Sequence, residues 1–162
     1  MEGSFRDNLD PFSRRTDAEV KKALSKATLD PDLIYEHVDK GGSNLSAGQR
    51  QLVCFARAAL YKTPVVVLDE PTSSCDMATD DVVQAMVRRE FKDATVITVA
   101  HRLNTIIDYD RILIMDDGQA AEYGAPSDLL KTEGGHLRML VDALGTDAAA
   151  ALVAKANAPR RT

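Results

Sequence analysis

A short apolar run that ends in two adjacent carboxylates constrains the fold of this chain more than any other feature. Residues 65–68 are three valines and a leucine, and Asp69 and Glu70 follow them directly. Continuous runs of this kind are typical of parallel strands that are buried on both faces. A second run covers residues 94–100, and a helical pattern over residues 78–91 separates the two. This order of strand, helix and strand predicts an α/β fold, in which parallel strands are flanked by helices.

The segment before the first strand predicts a well-capped helix from Ser46 to about Tyr61. Ser46 and Gln49 have the S-x-x-Q spacing of a capping box, in which the hydroxyl accepts from the third amide and the glutamine accepts from the cap amide. Gly48 leaves the first turn unobstructed. Because first-turn amides are unpaired and the helix dipole is positive there, this end suits an anion. Such a helix start, taken alone, is more often only a capped surface helix. The predicted apolar face comprises Leu52, Phe55, Ala56, Ala59 and Leu60.

The rest of the chain predicts further helices and one hairpin. Asp116, Asp117 and Gly118 are typical of a tight turn between two strands. Polar residues and Pro11 predict irregular structure at the start of the chain, and the alanine-rich segment from Thr146 predicts a frayed, low-complexity tail. The predicted ranges are irregular structure over 1–15, helices over 16–27, 31–38, 104–107, 126–131 and 136–144, a flexible connection over 40–44, and strands over 111–115 and 119–123.

Composition excludes several classes of protein. The 162 residues suit one domain, and the net charge of −5 offers no reason to expect a nucleic-acid partner. Cys54 and Cys75 form no framework pattern, which favours a reduced compartment. No apolar stretch approaches the roughly 20 residues that span a bilayer, and no apolar region of a signal peptide follows Met1. We therefore expect the chain to be soluble when expressed alone, with any link to a membrane made through a partner.

Taken together, the motifs resemble those of the nucleotide-binding domains of ABC transporters. Residues 45–51 resemble the signature motif, usually Leu-Ser-Gly-Gly-Gln, with Ala47 in place of the first glycine. Residues 65–71 resemble the Walker B strand with its two acids, and residues 73–76 resemble the D-loop. The likeness around the signature extends through Arg50, Gln51, Ala56, Arg57, Ala58 and Leu60.

A second set of residues narrows the resemblance to one subfamily. Residues 8–11, Asn-Leu-Asp-Pro, resemble a pattern of the multidrug-resistance-associated subfamily, subfamily C. With residues 101–108 and the retained Glu70, they indicate the second nucleotide-binding domain of such a transporter. The resemblance covers about residues 2–145. It implies a P-loop NTPase-like ABC ATPase fold with parallel strands, flanking helices and a C-terminal hairpin.

The resemblance also implies catalytic roles. Asp69 would bind Mg²⁺ through water, because Mg²⁺ favours carboxylates and retained waters. Glu70 would orient and deprotonate the water that attacks ATP. His101, at the end of the second strand, matches the switch histidine, which would hydrogen-bond the γ-phosphate and the catalytic glutamate. A lone histidine at a strand end is more often structural.

Other positions would act across a dimer. In the family, two nucleotide-binding domains associate head to tail, and each nucleotide lies between one domain's Walker A loop and the other's signature. Ser46, Ala47, Gly48 and Gln49 would therefore contact a nucleotide held by a second nucleotide-binding domain. Asp76, the end of the D-loop, would cap a helix and communicate across the dimer, although an aspartate there is often only a cap.

By the resemblance, the aromatic adenine-stacking loop, the Walker A loop and the glutamine loop of a complete ATPase are all expected to be absent from the chain. No Gly-Lys dipeptide occurs, so the phosphate-binding loop G-x-x-x-x-G-K-[ST] is absent. The resemblance places Met1 just after the glutamine loop and divides the chain into residues 1–62 (helical subdomain and signature helix), 63–145 (Walker B to C-terminal core) and 146–162 (tail). We expect the isolated chain neither to bind nor to hydrolyse ATP appreciably, and strand 94–100, without the Walker A strand, to have an open edge that limits solubility.

Three interpretations of function remain open. The first is a fragment of the ATPase domain of an efflux transporter, which would bind ATP and Mg²⁺, pair with another nucleotide-binding domain and reach the cytoplasmic face of a membrane through the parent's transmembrane domains. The second is a non-enzymatic half-domain that pairs with an intact domain. The third and weakest is the C-terminal lobe of a chromosome-maintenance ATPase, which should follow coiled-coil heptads that residues 1–45 lack. The transported substrate cannot be read, because membrane segments would select it.

Overall fold

The computed structural model describes residues 1–72 and 77–158, in two compact units, Met1–Val99 and Ala100–Thr162. The predicted boundaries at residues 62 and 145 stay predictions. The first unit comprises β1 (Gly3–Ser4), α1 (Phe5–Leu9), α2 (Asp17–Lys26), a 3₁₀ turn (Pro31–Tyr35), β2 (His37–Val38), a second 3₁₀ turn (Lys40–Gly42), α3 (Ala47–Tyr61), β3 (Val65–Asp69), α4 (Met77–Glu90) and β4 (Thr95–Val99). The second unit comprises α5 (Leu103–Ile106), β5 (Ile112–Asp116), β6 (Gln119–Gly124), α6 (Pro126–Leu129), α7 (His136–Asp142) and α8 (Thr146–Asn157).

The N-terminal segment is ordered, so the prediction of irregular structure over residues 1–15 was wrong. Ser4 Oγ accepts from the Asp7 amide at 3.0 Å, and Asp7 Oδ2 accepts from the Ser4 amide at 3.1 Å, which forms a capping box for α1. Phe5 and Leu9, one helical turn apart, are both buried. Pro11 follows the cap of α1 and does not interrupt it, so this proline ends a short helix that is anchored by two core side chains.

The helix predicted after Thr16 is confirmed as α2, but the next helix is shorter than predicted. Thr16 and Glu19 form the capping box of α2. Pro31–Tyr35 is a 3₁₀ turn, after which the chain extends and pairs His37–Val38 with β1 in antiparallel register. Pairing with a distant segment outweighs the local helical pattern, and no periodicity in the sequence reveals it.

The central strands β3 and β4 pair in parallel, in register from Val65 opposite Thr95 to Asp69 opposite Val99. The α/β fold is therefore confirmed. The prediction that both faces of the strands are buried was wrong. Val66 is 6% exposed, whereas Val65, Val67, Ile97 and Val99 are 51–66% exposed. Side chains alternate between the faces of a sheet, and the described residues cover only the Val66 face. We call the other four side chains the open sheet face. In the described part of the chain, β4 pairs with β3 alone, as the expected open edge requires.

Helices α1, α2, α3 and α4 pack around the covered side of this sheet. Helix α3 extends to Tyr61, as predicted, and buries Val53, Phe55, Ala56, Ala59 and Leu60. Leu52 of the predicted apolar face is only partly buried, whereas Val53, which is not in the predicted face, is buried. Among the described residues, no helix is both long enough and apolar enough to cross a bilayer.

In the second unit, β5 and β6 form the predicted antiparallel hairpin. Its two turn residues, Asp117 and Gly118, have φ angles of 45° and 75°, as a type I′ turn requires. The segment from Thr146 is not frayed but forms α8, so that prediction was wrong. Leu152 is buried, and Ala149 and Val153 pack on the same cluster, because alanine-rich sequence with apolar residues at helical spacing favours a packed helix.

Glu122 on β6 caps helix α7 from outside the helix. Its Oε1 accepts from the His136 amide at 2.7 Å, and its Oε2 accepts from the Leu137 amide at 3.0 Å. The N-cap residue, Gly135, has no side chain that could do this, and a Cβ there would lie 2.7 Å from Glu122 Oε1. Glycine at position 135 therefore leaves space for the Glu122 side chain, which caps α7 from β6.

Candidate functional site

The start of α3 has the geometry of an anion site. Gln49 donates its amide to Ser46 Oγ at 3.1 Å, and the Ser46 amide donates to Gln49 Oε1 at 2.9 Å. The predicted capping box is thus confirmed. Among the described residues, the amides of Ala47 and Gly48 have no acceptor. Because Ser46 Oγ serves as an acceptor in the box, its proton is available, so an exposed hydroxyl and two amides can donate to one anion.

Arg50 fixes the loop that leads into this helix. Its Nη1 donates to the carbonyls of Leu45 at 2.6 Å and Gly42 at 3.1 Å. Gly42 has a φ of +71°, and a Cβ there would lie 2.9 Å from Arg50 Cδ. Glycine is required at this position both by the backbone conformation and by the packing of the arginine.

Asn44 completes the support of the loop. Its Nδ2 donates to the His37 carbonyl at 2.8 Å, and its Oδ1 accepts from the Asp39 amide at 3.0 Å. The segment predicted to be a flexible connection is therefore ordered, and that prediction was wrong. Glycines at 41 and 42 suggested flexibility, whereas they allow a turn that side chains from both sides then hold.

The other end of α3 is tied to the N-terminal segment through Asp10. The Asp10 carboxylate is completely shielded from solvent. It accepts from Tyr61 Oη at 2.6 Å, from Arg6 Nη1 at 2.9 Å, and from the amides of Arg15 and Arg14 at 2.8 and 3.1 Å. We call this group the Asp10 node. The sequence indicates this aspartate only as part of a family pattern, because its partners lie up to 51 positions away.

The electrostatics of the node favour the charged carboxylate. Burial would raise the pKa of Asp10, but hydrogen bonds from Tyr61, from two backbone amides and from Arg6 hold that pKa well below its usual range. The same bond raises the pKa of Tyr61. The node therefore contains a carboxylate, a phenol and a guanidinium. The phenol, the guanidinium and two backbone amides all donate to the carboxylate.

The two predicted acids lie where the central strand ends. Asp69 is the last residue of β3 and is exposed. Glu70 has a φ of +42°, a conformation that non-glycine residues seldom adopt, and its amide donates to the Val99 carbonyl at 2.9 Å. Glu70 is therefore turned away from the strand direction at the carboxyl end of a parallel pair, which is the edge at which α/β sheets bind ligands.

The remaining predicted residues are placed separately. His101 belongs to the second unit, is exposed and precedes α5, and its predicted partnership with Glu70 stays a prediction. Asp76 and the rest of the predicted D-loop lie outside the described residues. Within residues 1–72 and 77–158, no group of three or more histidine, cysteine, aspartate or glutamate side chains is arranged to hold a metal. Asp69 alone still fits Mg²⁺, which usually takes one or two protein carboxylates together with waters and substrate phosphates.

Comparison with known proteins gives consistent matches. A family model described as ABC transporter matches residues 2–73. The chain is 46% identical over 147 residues to "ATP-binding cassette sub-family C member 2" of Rattus norvegicus, a match that covers 87% of this chain and 10% of that protein. It is 41% identical over 153 residues to "Bile pigment transporter 1" of Saccharomyces cerevisiae, covering 80% of this chain and 10% of that protein. It is 42% identical over 161 residues to human "ATP-binding cassette sub-family C member 4", covering 96% of this chain and 12% of that protein.

A solved structure shares the fold. "Structure of a bacterial Atm1-family ABC exporter with ATP bound" superposes with a TM-score of 0.78 at 29% identity, over 90% of this chain and 26% of that chain. The chain spans only about a tenth of the length of the curated relatives, 10% of the first two.

Proposed function

We propose that this chain, which belongs to the ABC transporter family and matches several proteins of subfamily C, forms part of the ATP-binding cassette of an exporter. In this proposal, the start of α3 is the signature that binds the γ-phosphate of an ATP held mainly by a second nucleotide-binding domain. The similarity to exporters over most of this chain supports the proposal.

The observation that carries the proposal is the set of donors at the start of α3. The unpaired amides of Ala47 and Gly48 and the hydroxyl of Ser46 lie at the positive end of a 15-residue helix. A phosphate oxygen can accept from each of them without any rearrangement of the capping box. The Arg50 contacts hold the preceding loop, so the donors are ordered before a ligand arrives.

The acids and the histidine would act on a nucleotide held by the same cassette. Glu70 would accept the proton of the attacking water, and His101 would donate a hydrogen bond to the transferred phosphoryl group. Asp69 would hold Mg²⁺, which supplies charge neutralisation on the phosphates when it is bound. Since the chain has no Gly-Lys dipeptide, lysine and amide donors of the phosphate loop must come from elsewhere. We propose that the chain alone does not turn over ATP.

The partners follow from this assignment. A second nucleotide-binding domain would dock head to tail on the α3 end, and transmembrane domains of the parent transporter would place the assembly at the cytoplasmic face of a membrane. ATP-driven efflux would be the activity of that parent, and its membrane segments would select the substrate. A non-enzymatic half-domain is the second candidate, favoured by the fact that the signature end is structurally complete whereas the phosphate loop is absent.

A reconstitution experiment tests the proposal. The purified chain is titrated into a subfamily C nucleotide-binding domain that retains its phosphate loop but whose own signature serine has been changed to arginine, and phosphate release from Mg-ATP is measured. We expect the mixture to hydrolyse ATP and the chain alone to be inactive. Ser46→Asp should abolish the stimulation, because aspartate keeps the helix cap but places a negative charge against the phosphate.

The matched control is Thr16→Asp, which makes the same kind of change at the N-cap of α2. This variant should stimulate as the wild-type chain does. Stimulation by Ser46→Asp equal to that of the wild-type chain would refute the proposed role of the α3 end. Glu70→Gln should leave turnover in the mixture unchanged, because Glu70 would act on a nucleotide held by its own cassette whereas the hydrolysed ATP is held by the partner; a loss of turnover would contradict this assignment.

A further inference from the structure

A buried carboxylate links the N-terminal segment to the helix that carries the proposed anion site. The Asp10 node joins α1, through Arg6, and the loop amides of residues 14 and 15 to Tyr61, the last residue of α3. One turn earlier on α3, Arg57 Nε donates to the Asn8 carbonyl at 2.7 Å. Two successive turns of α3 are therefore bonded to residues 8–10.

This attachment is more than hydrophobic packing. The Asp10 carboxylate accepts four hydrogen bonds while fully shielded from water, and loss of any donor would leave a buried charge less well satisfied. Arg15 also stacks over the Tyr61 ring, with its guanidinium carbon 5.6 Å from the ring centre. Directional bonds of this kind define the position and rotation of a helix end, which apolar contacts alone leave adjustable.

We propose that Asp10 is a positioning residue for the signature end of α3, and this inference rests on the function proposed above. Asp10 acts through Tyr61, at the end of the helix remote from Ser46, and does not itself touch nucleotide. It sets the direction in which the amides of Ala47 and Gly48 point.

The geometry explains how a contact at one end can matter at the other. Helix α3 has 15 residues, which corresponds to a rod of about 22 Å. Arg50 bonds only to the loop directly before the helix, whereas the Asp10 node and Arg57 bond the second end to the N-terminal segment. A rod held in this way tilts about its packed middle when one end is released, so a shift of about 1 Å at Tyr61 produces a similar shift at Ser46, enough to slow a positioned reaction by up to about 100-fold.

Two variants test this inference in the ATP hydrolysis assay with the partner domain that lacks a functional signature. Tyr61→Phe removes the bond to α3 but leaves Asp10 bonded to the N-terminal loop, and Asp10→Asn disturbs the whole node. Asp142→Asn is the control, because it breaks an exposed pair with Arg138 in the second unit. We expect both node variants to lower the turnover number at saturating chain about 10-fold or more, while the control leaves it unchanged.

The separation of turnover from affinity distinguishes positioning from folding. If the Asp10 node only stabilised the fold, the variants would raise the concentration of chain needed for half-maximal activity and leave the saturating turnover number unaltered. That result would overturn the proposal.

A measurement on the chain alone separates this inference from the proposed function. Nitrogen–proton correlation spectra should show shifts at the amides of Ala47 and Gly48 in Tyr61→Phe, with the amides of the second unit unmoved. If the wild-type chain fails to stimulate any partner, the proposed function fails, yet these shifts would still support positioning of α3 by the node. Unchanged signals at Ala47 and Gly48 would overturn it.

Discussion

Replacement of Glu122 by glutamine should loosen the start of α7. The carboxylate accepts from two successive amides, one on each oxygen. Glutamine is nearly the same size but has a single acceptor oxygen, and its amide nitrogen would face the second backbone N–H as donor against donor. The change therefore removes one bond, weakens the other and leaves a first-turn amide without a partner.

The size of the effect can be worked out from these contacts. A hydrogen bond to a charged group contributes about 1.5–3 kcal/mol, and a neutral one about 1 kcal/mol. Loss of one charge-assisted bond, partial loss of the second and loss of the favourable charge at a helix start together predict a decrease of about 2–3 kcal/mol in the free energy that protects α7 from opening. Partial access of water to Glu122 places the expectation at the lower end, near 2 kcal/mol.

Amide hydrogen exchange is the assay, because it reports the opening of a single helix. A change of about 2 kcal/mol should accelerate exchange of the α7 amides roughly 30-fold, while the amides of the first unit keep their wild-type rates. Glu133→Gln, at an exposed residue close by in the chain, is the matched control and should alter exchange less than about twofold. If both variants exchange alike in α7, Glu122 is not the cap of this helix and the reasoning fails.

Three further predictions concern the first unit. Gly42→Ala should lower the free energy of unfolding by about 1–3 kcal/mol in denaturant titrations. The loss should exceed that of Gly41→Ala, because both glycines have positive φ but only a Cβ at Gly42 would contact an arginine side chain. Equal losses would contradict the packing argument. Burial alone would raise the pKa of Glu90, but its ion pairs with two basic side chains lower that pKa, so these pairs stabilise the fold above the unfolded pKa of 4.5 and lose their effect as the pH falls below it. Glu90→Gln should therefore reduce the loss of stability at acid pH, and an unaltered profile of stability against pH would refute the ion-pair account. Val67→Thr on the open sheet face should reduce self-association, measured by light scattering, with little loss of stability. Val66→Thr on the buried face should lower the free energy of unfolding by about 1–2 kcal/mol. Similar destabilisation by both variants would contradict the exposure of the open sheet face.

Local patterns predicted local features of this protein well. The helix start at Thr16, the capping box at Ser46 and the hairpin turn at Asp117 were predictable, because all the interacting atoms lie within a few positions of one another. Part of the candidate site follows from the same logic, since a capped helix start and a strand that ends in acids are both visible in the sequence.

Features that depend on distant partners were not predictable. The extended pairing of β2 with β1, the cap of α7 by Glu122 and the Asp10 node each join segments that the sequence keeps apart. Burial of both faces of β3 was expected from composition, but whether a face is covered depends on what packs on it. Helix α8 was missed for a related reason, because an alanine-rich segment is helical or frayed according to whether Leu152 finds a core.

Three capping boxes lie within the described residues of the first unit, and they differ in one respect that bears on phosphate affinity. Helices α1 and α2 use Asp7 and Glu19 as the reciprocal acceptor, whereas α3 uses Gln49. An acid at that position would repel the very oxygens that a triphosphate brings to the helix start. The uncharged amide completes the same pair of bonds and leaves the local potential positive, so a single side chain lets one end of α3 be both a stable terminus and a receptor.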